Sequence, residues 1–245
     1  MVSREDLGRA LDRAVVERPQ WRCGRTLDLY SRPDGQSLTT QIAAGRQVRA
    51  IAVDAATDMV QLQGCEDDYP GWMAIAQLAH LTVADASYQA PTVTRSQIEA
   101  KIPEAIAFGM AALAVPNRYR WGGSTAPDYD CSGLVQAAFV SVGIWLPRDS
   151  YLQQDFTAAI ARDEELMAGD LLFFGSPERT DHVAIYLGKG RYLHSSGYDH
   201  GRGGMAIDSL IEGGEGDDAI AQYYRQRRRG AGRILDSYQP TGQLP

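Results

Sequence analysis

Apolar residues between positions 131 and 142 recur on a single helical face. Cys131, Leu134, Val135, Ala138, Phe139 and Val142 fall at i, i+3, i+4, i+7, i+8 and i+11, the spacing of a buried helix. Asp130 stands where an N-cap belongs, and Gly143 where a helix stops. Residues 119–129 carry no such period. Gly122-Gly123 and Ala126-Pro127-Asp128 are turn chemistry, and a residue before proline is held out of the helical region, so no regular structure is predicted there.

Earlier in the chain the period changes. Residues 4–16 read as a short amphipathic helix, with Leu7, Leu11 and Val15 four apart. From Trp21 to about Val83 the signals are those of short strands: Leu27-Asp-Leu29, residues 48–53, 59–63 and 69–75, with Arg32-Pro-Asp-Gly35 as a turn. Four or five strands in so short a stretch predict a small barrel. Residues 84–95 have no period and read as a linker. A helix then opens at Ser96, with Glu99 completing a capping box and Ile98, Ile102, Ile106 and Met110 lining one face. After the central helix come a shorter helix near 151–161 and strands at 170–174, 182–187 and 191–195. A helix near 217–225 and a final strand at 232–235 close the region. Helices set apart from a hairpin-rich sheet make an α+β fold.

The chain has 245 residues, a net charge of −7 and 44% hydrophobic residues, an ordinary globular composition that argues against nucleic acid as a partner. The one dense basic run, Arg225-Gln-Arg-Arg-Arg229, reads as a solvated helix end. The first twenty residues are charged throughout and lack the apolar core of a signal peptide, and no apolar run reaches the ~18 residues of a membrane span. Cys23, Cys65 and Cys131 are too few and too scattered for a disulfide framework or a zinc site. The expectation is a reduced, cytoplasmic setting with no membrane partner.

Two features bear on chemistry. Cys131 opens a buried helix, where unpaired N–H groups and the positive dipole end favour a thiolate; a cysteine on an apolar face can equally be structural. Downstream, His182 and His194 lie on the two arms of a hairpin. A two-residue Lys189-Gly190 loop would put them on opposite faces, whereas a three-residue loop or one bulge puts them on the same face. Two imidazoles on one face fit a nucleophile–base–orienter set, one ring taking the thiol proton and the other fixing its tautomer. Metal binding by Cys131, His182 and His194 is the rival, but no further ligand stands at the usual short spacing, so no metal or cofactor is predicted. His80 and His200 have no such company and read as surface or loop residues.

Tyr119-Arg-Trp-Gly-Gly, Asp130-Cys-Ser-Gly133, Gly169-Asp-Leu-Leu-Phe-Phe174, Asp181-His-Val-Ala-Ile-Tyr-Leu-Gly188 and Leu193-His-Ser195 stand in this order. Together they resemble the NlpC-type cell-wall cysteine peptidases, a compact papain-like group, over roughly residues 100–236. Residues 20–85 are similar to the bacterial SH3-like domain that often precedes that unit. The resemblance implies an N-terminal helix (1–18), an SH3-like barrel (19–85), a linker (86–97), a catalytic domain (98–236) and a tail (237–245). It implies hydrolysis of peptidoglycan stem peptides between γ-D-glutamate and a diamino acid, with Cys131 as nucleophile, His182 as base and His194 as its orienter. Tyr119 would help the Cys131 N–H hold the oxyanion. Members with an SH3-like domain and no export signal resemble recycling enzymes that need a free N-terminal L-alanine. There Asp130 would bind the ammonium and Tyr69 would complete the pocket, with Ser132, Trp121 and Ser150 as further lining. The alternatives are a catalytically silent protein that binds peptidoglycan peptides, and a related thiol amidase or acyltransferase.

Overall fold

A computed structural model describes residues 13–15, 17, 19–199, 201–213 and 218–244. The chain forms two compact units: one runs to Ala90 and takes in the chain again from Gln239, and the other is Pro91–Tyr238. The last residues are therefore not a loose tail on the second unit. The Asp68 carboxylate accepts the N–H groups of Thr241 (2.6 Å) and Gly242 (3.0 Å), and the Gln63 amide donates to the Gln243 carbonyl. Of the helix predicted over 4–16, residues 13–15 are described; they are helical, and Val15 packs on the first unit's core.

In the first unit Leu27 and Leu29 alternate inward from Asp28 and Tyr30, as period two requires. The strands are β1 (Trp21–Cys23), β2 (Leu27–Tyr30), β3 (Leu38–Ile42), β4 (Gln47–Asp54), β5 (Met59–Gly64), β6 (Pro70–Ala74) and β7 (Leu81–Val83). They join in the order β3-β2-β6-β5-β4-β1-β7, all antiparallel. Their inward faces meet in one core that includes Ile42, Val48, Val60, Leu62 and Met73. This is the SH3-like region, with more and shorter strands than the apolar pattern reveals.

The second unit begins with α1 (Arg95–Leu113), capped two residues earlier than predicted. Thr94 and Gln97 form the capping box, while Glu99 pairs with Arg95 at 2.8 Å. Thr94-Arg-Ser-Gln97 and Ser96-Gln-Ile-Glu99 both satisfy the box pattern, and the upstream one is used. The buried side of α1 is Ile98, Ala105 and Gly109, with Ile102 and Ile106 partly covered and Met110 turned outward. A Cβ on Gly109 would come within 2.6 Å of Leu193, so this face approaches the sheet too closely for a larger residue. Then follow a short ladder, β8 (Ser124–Thr125) and β9 (Asp128–Tyr129), in the stretch read as irregular, and α2 (Cys131–Val140). After α3 (Ser150–Phe156) comes a strand, β10 (Ala158–Ile160), where helix was predicted; it pairs with β15 (Arg228–Arg233).

The sheet is completed by β11 (Leu171–Gly175), β12 (Thr180–Gly188), β13 (Arg191–Ser196) and β14 (Gly204–Ser209), in the order β10-β15-β11-β12-β13-β14. Val183, Ile185, Leu171 and Phe173 pack with α1 and α2. Phe174, Ala184, Tyr186 and Tyr192 pack on the opposite face with Tyr224 of α4 (Ala219–Gln226). This is an α+β unit. The basic run is not a solvated helix end: Arg227 pairs with Asp181, Arg228 with Asp163, and Arg229 donates to the Ser176 and Pro177 carbonyls.

Candidate active site

Asp130 caps α2 with its side chain, accepting the Gly133 N–H at 2.7 Å, and Gly143 follows the helix at positive φ. Gly133 has no room for a side chain, since a Cβ there would lie 2.1 Å from the Gly123 carbonyl oxygen. The glycine-rich loop therefore lies directly on the first turn of α2, and Asp130 N–H donates to that same carbonyl. Asp130 has a further partner that the sequence did not disclose. Arg148, almost fully buried, reaches both carboxylate oxygens (2.7 and 3.0 Å) and the Ser132 hydroxyl (2.9 Å). With Gly122 N–H on Oδ2 as well, four N–H donors fill the roughly four acceptor positions of a carboxylate. The ammonium role implied for Asp130 is therefore not what its surroundings provide; it clasps the loop, the helix and Arg148 together.

The Cys131 sulfur lies against β12 on either side of His182: it points at the Asp181 carbonyl 4.0 Å away, and Val183 N–H is directed at it. Burial, reinforced by the Asp130 charge, pushes this thiol up to about 12, against the N–H groups of Val183 and Ser132 and the Arg148 charge. The expected resting thiolate is thus replaced by a neutral thiol, because desolvation outweighs the helix terminus. His182 is likewise neutral. Burial first, then the neighbouring His194 and Arg227, hold its imidazole well below the ordinary range.

The β12–β13 hairpin carries a register shift between Tyr186 and Gly188, so Ile185 faces Leu193 and Tyr186 faces Tyr192. That single irregularity keeps His182 and His194 on one face, with His182 Nε2 2.8 Å from His194 Nδ1. On the next strand Asp208 Oδ2 stands 3.0 Å from His194 Nε2, bent away from the ideal line. Tyr224 lies over His182 with ring centroids 4.5 Å apart. Ser195 donates to the Tyr129 carbonyl at 2.7 Å, tying the strand of His194 to the residue before Asp130.

Tyr119 is held by its N–H to the Gly203 carbonyl. Burial, then the neighbouring Cys131 and Asp130, keep its phenol protonated, so it is an O–H donor near the Cys131 thiol. Ser132 and Ser150 are buried and Trp121 is 68% exposed on the loop. Tyr69 belongs to the first unit, where its hydroxyl is hydrogen-bonded to Thr39. His80 is half-buried, and His200 lies outside the described residues. Sequence reading missed Arg148, Asp208, Arg202 and Tyr224. Only Asp208 had a signal, the alternation Met205-Ala-Ile207-Asp of an unrecognised strand.

Residues 116–214 match the NlpC/P60 family, and residues 29–78 match the bacterial dipeptidyl-peptidase Sh3 domain. The murein DD-endopeptidase MepS/murein LD-carboxypeptidase of Escherichia coli is 36% identical over 119 residues, 48% of this chain and 56% of that protein. The gamma-D-glutamyl-L-lysine dipeptidyl-peptidase of Bacillus cereus is 37% identical over 110 residues, 42% of this chain and 32% of that protein. This chain thus matches about half the length of the first relative and a third of the second. A crystal structure of an NlpC/P60 family protein from Bacillus cereus is 22% identical with a TM-score of 0.46, covering 93% of this chain and 66% of that one. The second unit is an NlpC/P60 domain, and the first is a bacterial SH3 domain of the dipeptidyl-peptidase type.

Proposed function

We propose that the protein is a cysteine peptidase that cleaves the bond between γ-D-glutamate and a diamino acid in murein stem peptides with a free N-terminal L-alanine. The observation that carries this reading is the thiol of Cys131 at a helix start, seated against the strand residues that flank His182, with His194 hydrogen-bonded behind. His194 engages Nε2 of His182, which leaves Nδ1 as the nitrogen that accepts the thiol proton. The thiolate adds to the γ-carbonyl carbon, and the oxyanion is held by the Tyr119 O–H and the Cys131 N–H. His182 then returns the proton to the leaving amine, and water releases the acyl group by the same route. Because thiol and imidazole both rest neutral, the proton moves as the carbonyl is attacked.

The bond and the free amine are supported by the relatives named as dipeptidyl-peptidases and by the SH3 domain of that type. An enzyme that counts two residues from the amino end needs that end uncapped, so released wall peptides are the substrate class and their turnover is the role. Trp121, exposed on the glycine-rich loop, offers an apolar face to such a peptide. Mass spectrometry of L-Ala-γ-D-Glu-meso-diaminopimelate incubated with the enzyme should show L-Ala-γ-D-Glu and free diaminopimelate, and none with Cys131→Ala. Cleavage by the Cys131→Ala variant would overturn the thiol mechanism. Equal turnover of the N-acetylated peptide would overturn the free-amine requirement.

A further inference from the structure

His182, His194 and Asp208 sit on β12, β13 and β14, three successive strands of one sheet, and are joined across them at 2.8 and 3.0 Å. Asp208 is buried to 1% exposure. A buried carboxylate needs a reason to stay charged, and here Arg202 supplies one: its guanidinium binds Asp208 Oδ1, with Nε at 3.0 Å, and also grips Asp218, the N-cap of the helix carrying Tyr224. Burial works against the charge, yet the close approach of His194 and the Arg202 pair bring the Asp208 carboxyl below the usual range. Tyr192, cross-strand from Asp208, and Tyr224, whose ring lies against both histidines, are further titratable side chains facing this group.

We propose that Asp208 is a positioning residue that sets the tautomers of both histidines, and that Arg202 sets the orientation of Asp208. An ionised carboxylate only accepts hydrogen bonds, so His194 must carry its proton on Nε2. The neutral ring then presents a bare Nδ1, which can only accept. His182 must therefore donate from Nε2, and its Nδ1 is left unprotonated. Two rings are thus locked by one carboxylate so that the base nitrogen is free for the Cys131 proton. When His182 takes that proton, the new charge is balanced through His194 by Asp208, and no proton leaves either ring on the far side.

This inference rests on Cys131 and His182 being nucleophile and base, and its test needs no substrate. Long-range proton–nitrogen spectra of the full-length wild type should show Nε2–H on both rings. In Asp208→Asn the amide oxygen will stay on Arg202, its strong donor, and turn the amide NH₂ toward His194 Nε2. Both rings then invert, and His182 Nδ1 becomes protonated and blocked. Iodoacetamide alkylation of Cys131 near neutral pH should slow on the order of 10²-fold or more, as for other wrong-tautomer substitutions. Asp208→Ala, which imposes neither tautomer, should slow it less than Asp208→Asn. A merely structural role gives the reverse order, since alanine removes more buried contacts. Nδ1–H on His182 in the wild type, or an alanine variant slower than the asparagine one, would overturn the proposal. Correct tautomers with a reactive Cys131 but no peptide cleavage would instead leave this inference standing and remove the proposed substrate.

Discussion

Arg148 gives the sharpest test of how the nucleophile is held in place. Its guanidinium and the Asp130 carboxylate form a two-pronged pair at 2.7 and 3.0 Å, with side-chain exposures of 1% and 10%. Replacing Arg148 by methionine keeps the bulk but leaves Asp130 with the Gly122 and Gly133 N–H groups and a long bond from the Ser132 hydroxyl, and no opposite charge. Removing one partner of a buried pair strands the other charge, which costs about 3–5 kcal/mol. For a unit of this size each kcal/mol lowers Tm by about 2–4 °C, so the expected fall is about 6–20 °C. Asp130→Asn should cost a similar amount, because it strands the guanidinium. The double variant Asp130→Asn/Arg148→Met holds neither charge, and the asparagine oxygen can still cap Gly133. Its loss should fall short of the sum of the single losses by about 2 kcal/mol or more. Calorimetry of the full chain and the three variants measures all four corners of the cycle. An Arg148→Met protein within about 1 kcal/mol of wild type, or strict additivity, would refute the clasp.

The remaining predictions follow from the same geometry. His182→Ala should lower kcat/KM on the order of 10³-fold or more, and His194→Gln by less, since an amide can still accept from His182; steady-state hydrolysis measures both. Because burial depresses His182 below its unfolded value of about 6.5, the unfolded state binds the proton that the native state refuses. Stability should therefore be complete above about pH 6.5 and fall as the pH drops toward the native value. Urea midpoints across pH 7.5 to 5.5 should show this decline, and a His182→Gln variant should show a flatter one. Gly133→Ala should drive a methyl group into the Gly123 carbonyl and cost about 3 kcal/mol, the upper end for overpacking because the obstacle is backbone; thermal unfolding beside a Gly143→Ala control (open space but positive φ) separates the collision from simple glycine strain.

What the sequence disclosed and what it hid divide along physical lines. The stripe from Cys131 to Val142 and the alternation through Leu27 and Leu29 were legible because a helix or strand face is set by local period alone. Arg148 was not, because an arginine in Leu-Pro-Arg-Asp-Ser reads as surface until a distant carboxylate is folded onto it. The protonation of Cys131 was misread for the opposite reason: the helix terminus is local and visible, while the desolvation that outweighs it comes from α1 and the sheet, which only tertiary packing brings together. The capping box of α1 failed on ambiguity, with two overlapping patterns two residues apart.

The placement of the three relay residues shows where the two kinds of information meet. Positions 182, 194 and 208 are separated by a hairpin of one length and a loop of another, and in an antiparallel sheet each return brings the chain back beside itself. Whether the returning residue shares a face with its predecessor depends on the parity of the count between them. Between His182 and His194 the count is corrected by the irregularity between Tyr186 and Gly188, with Gly188 at φ +91°, a conformation glycine adopts readily. Between His194 and Asp208 no correction is needed: His194 pairs with Ala206, and Asp208, two residues on, is on the same face as Ala206 and lies diagonally within reach. The alignment of base, orienter and carboxylate is thus a property of strand register. A one-residue slip of either strand against its neighbour would turn a buried charge or an imidazole toward the apolar layer under α1 and α2. Register, and not only residue identity, is what brings His182, His194 and Asp208 together.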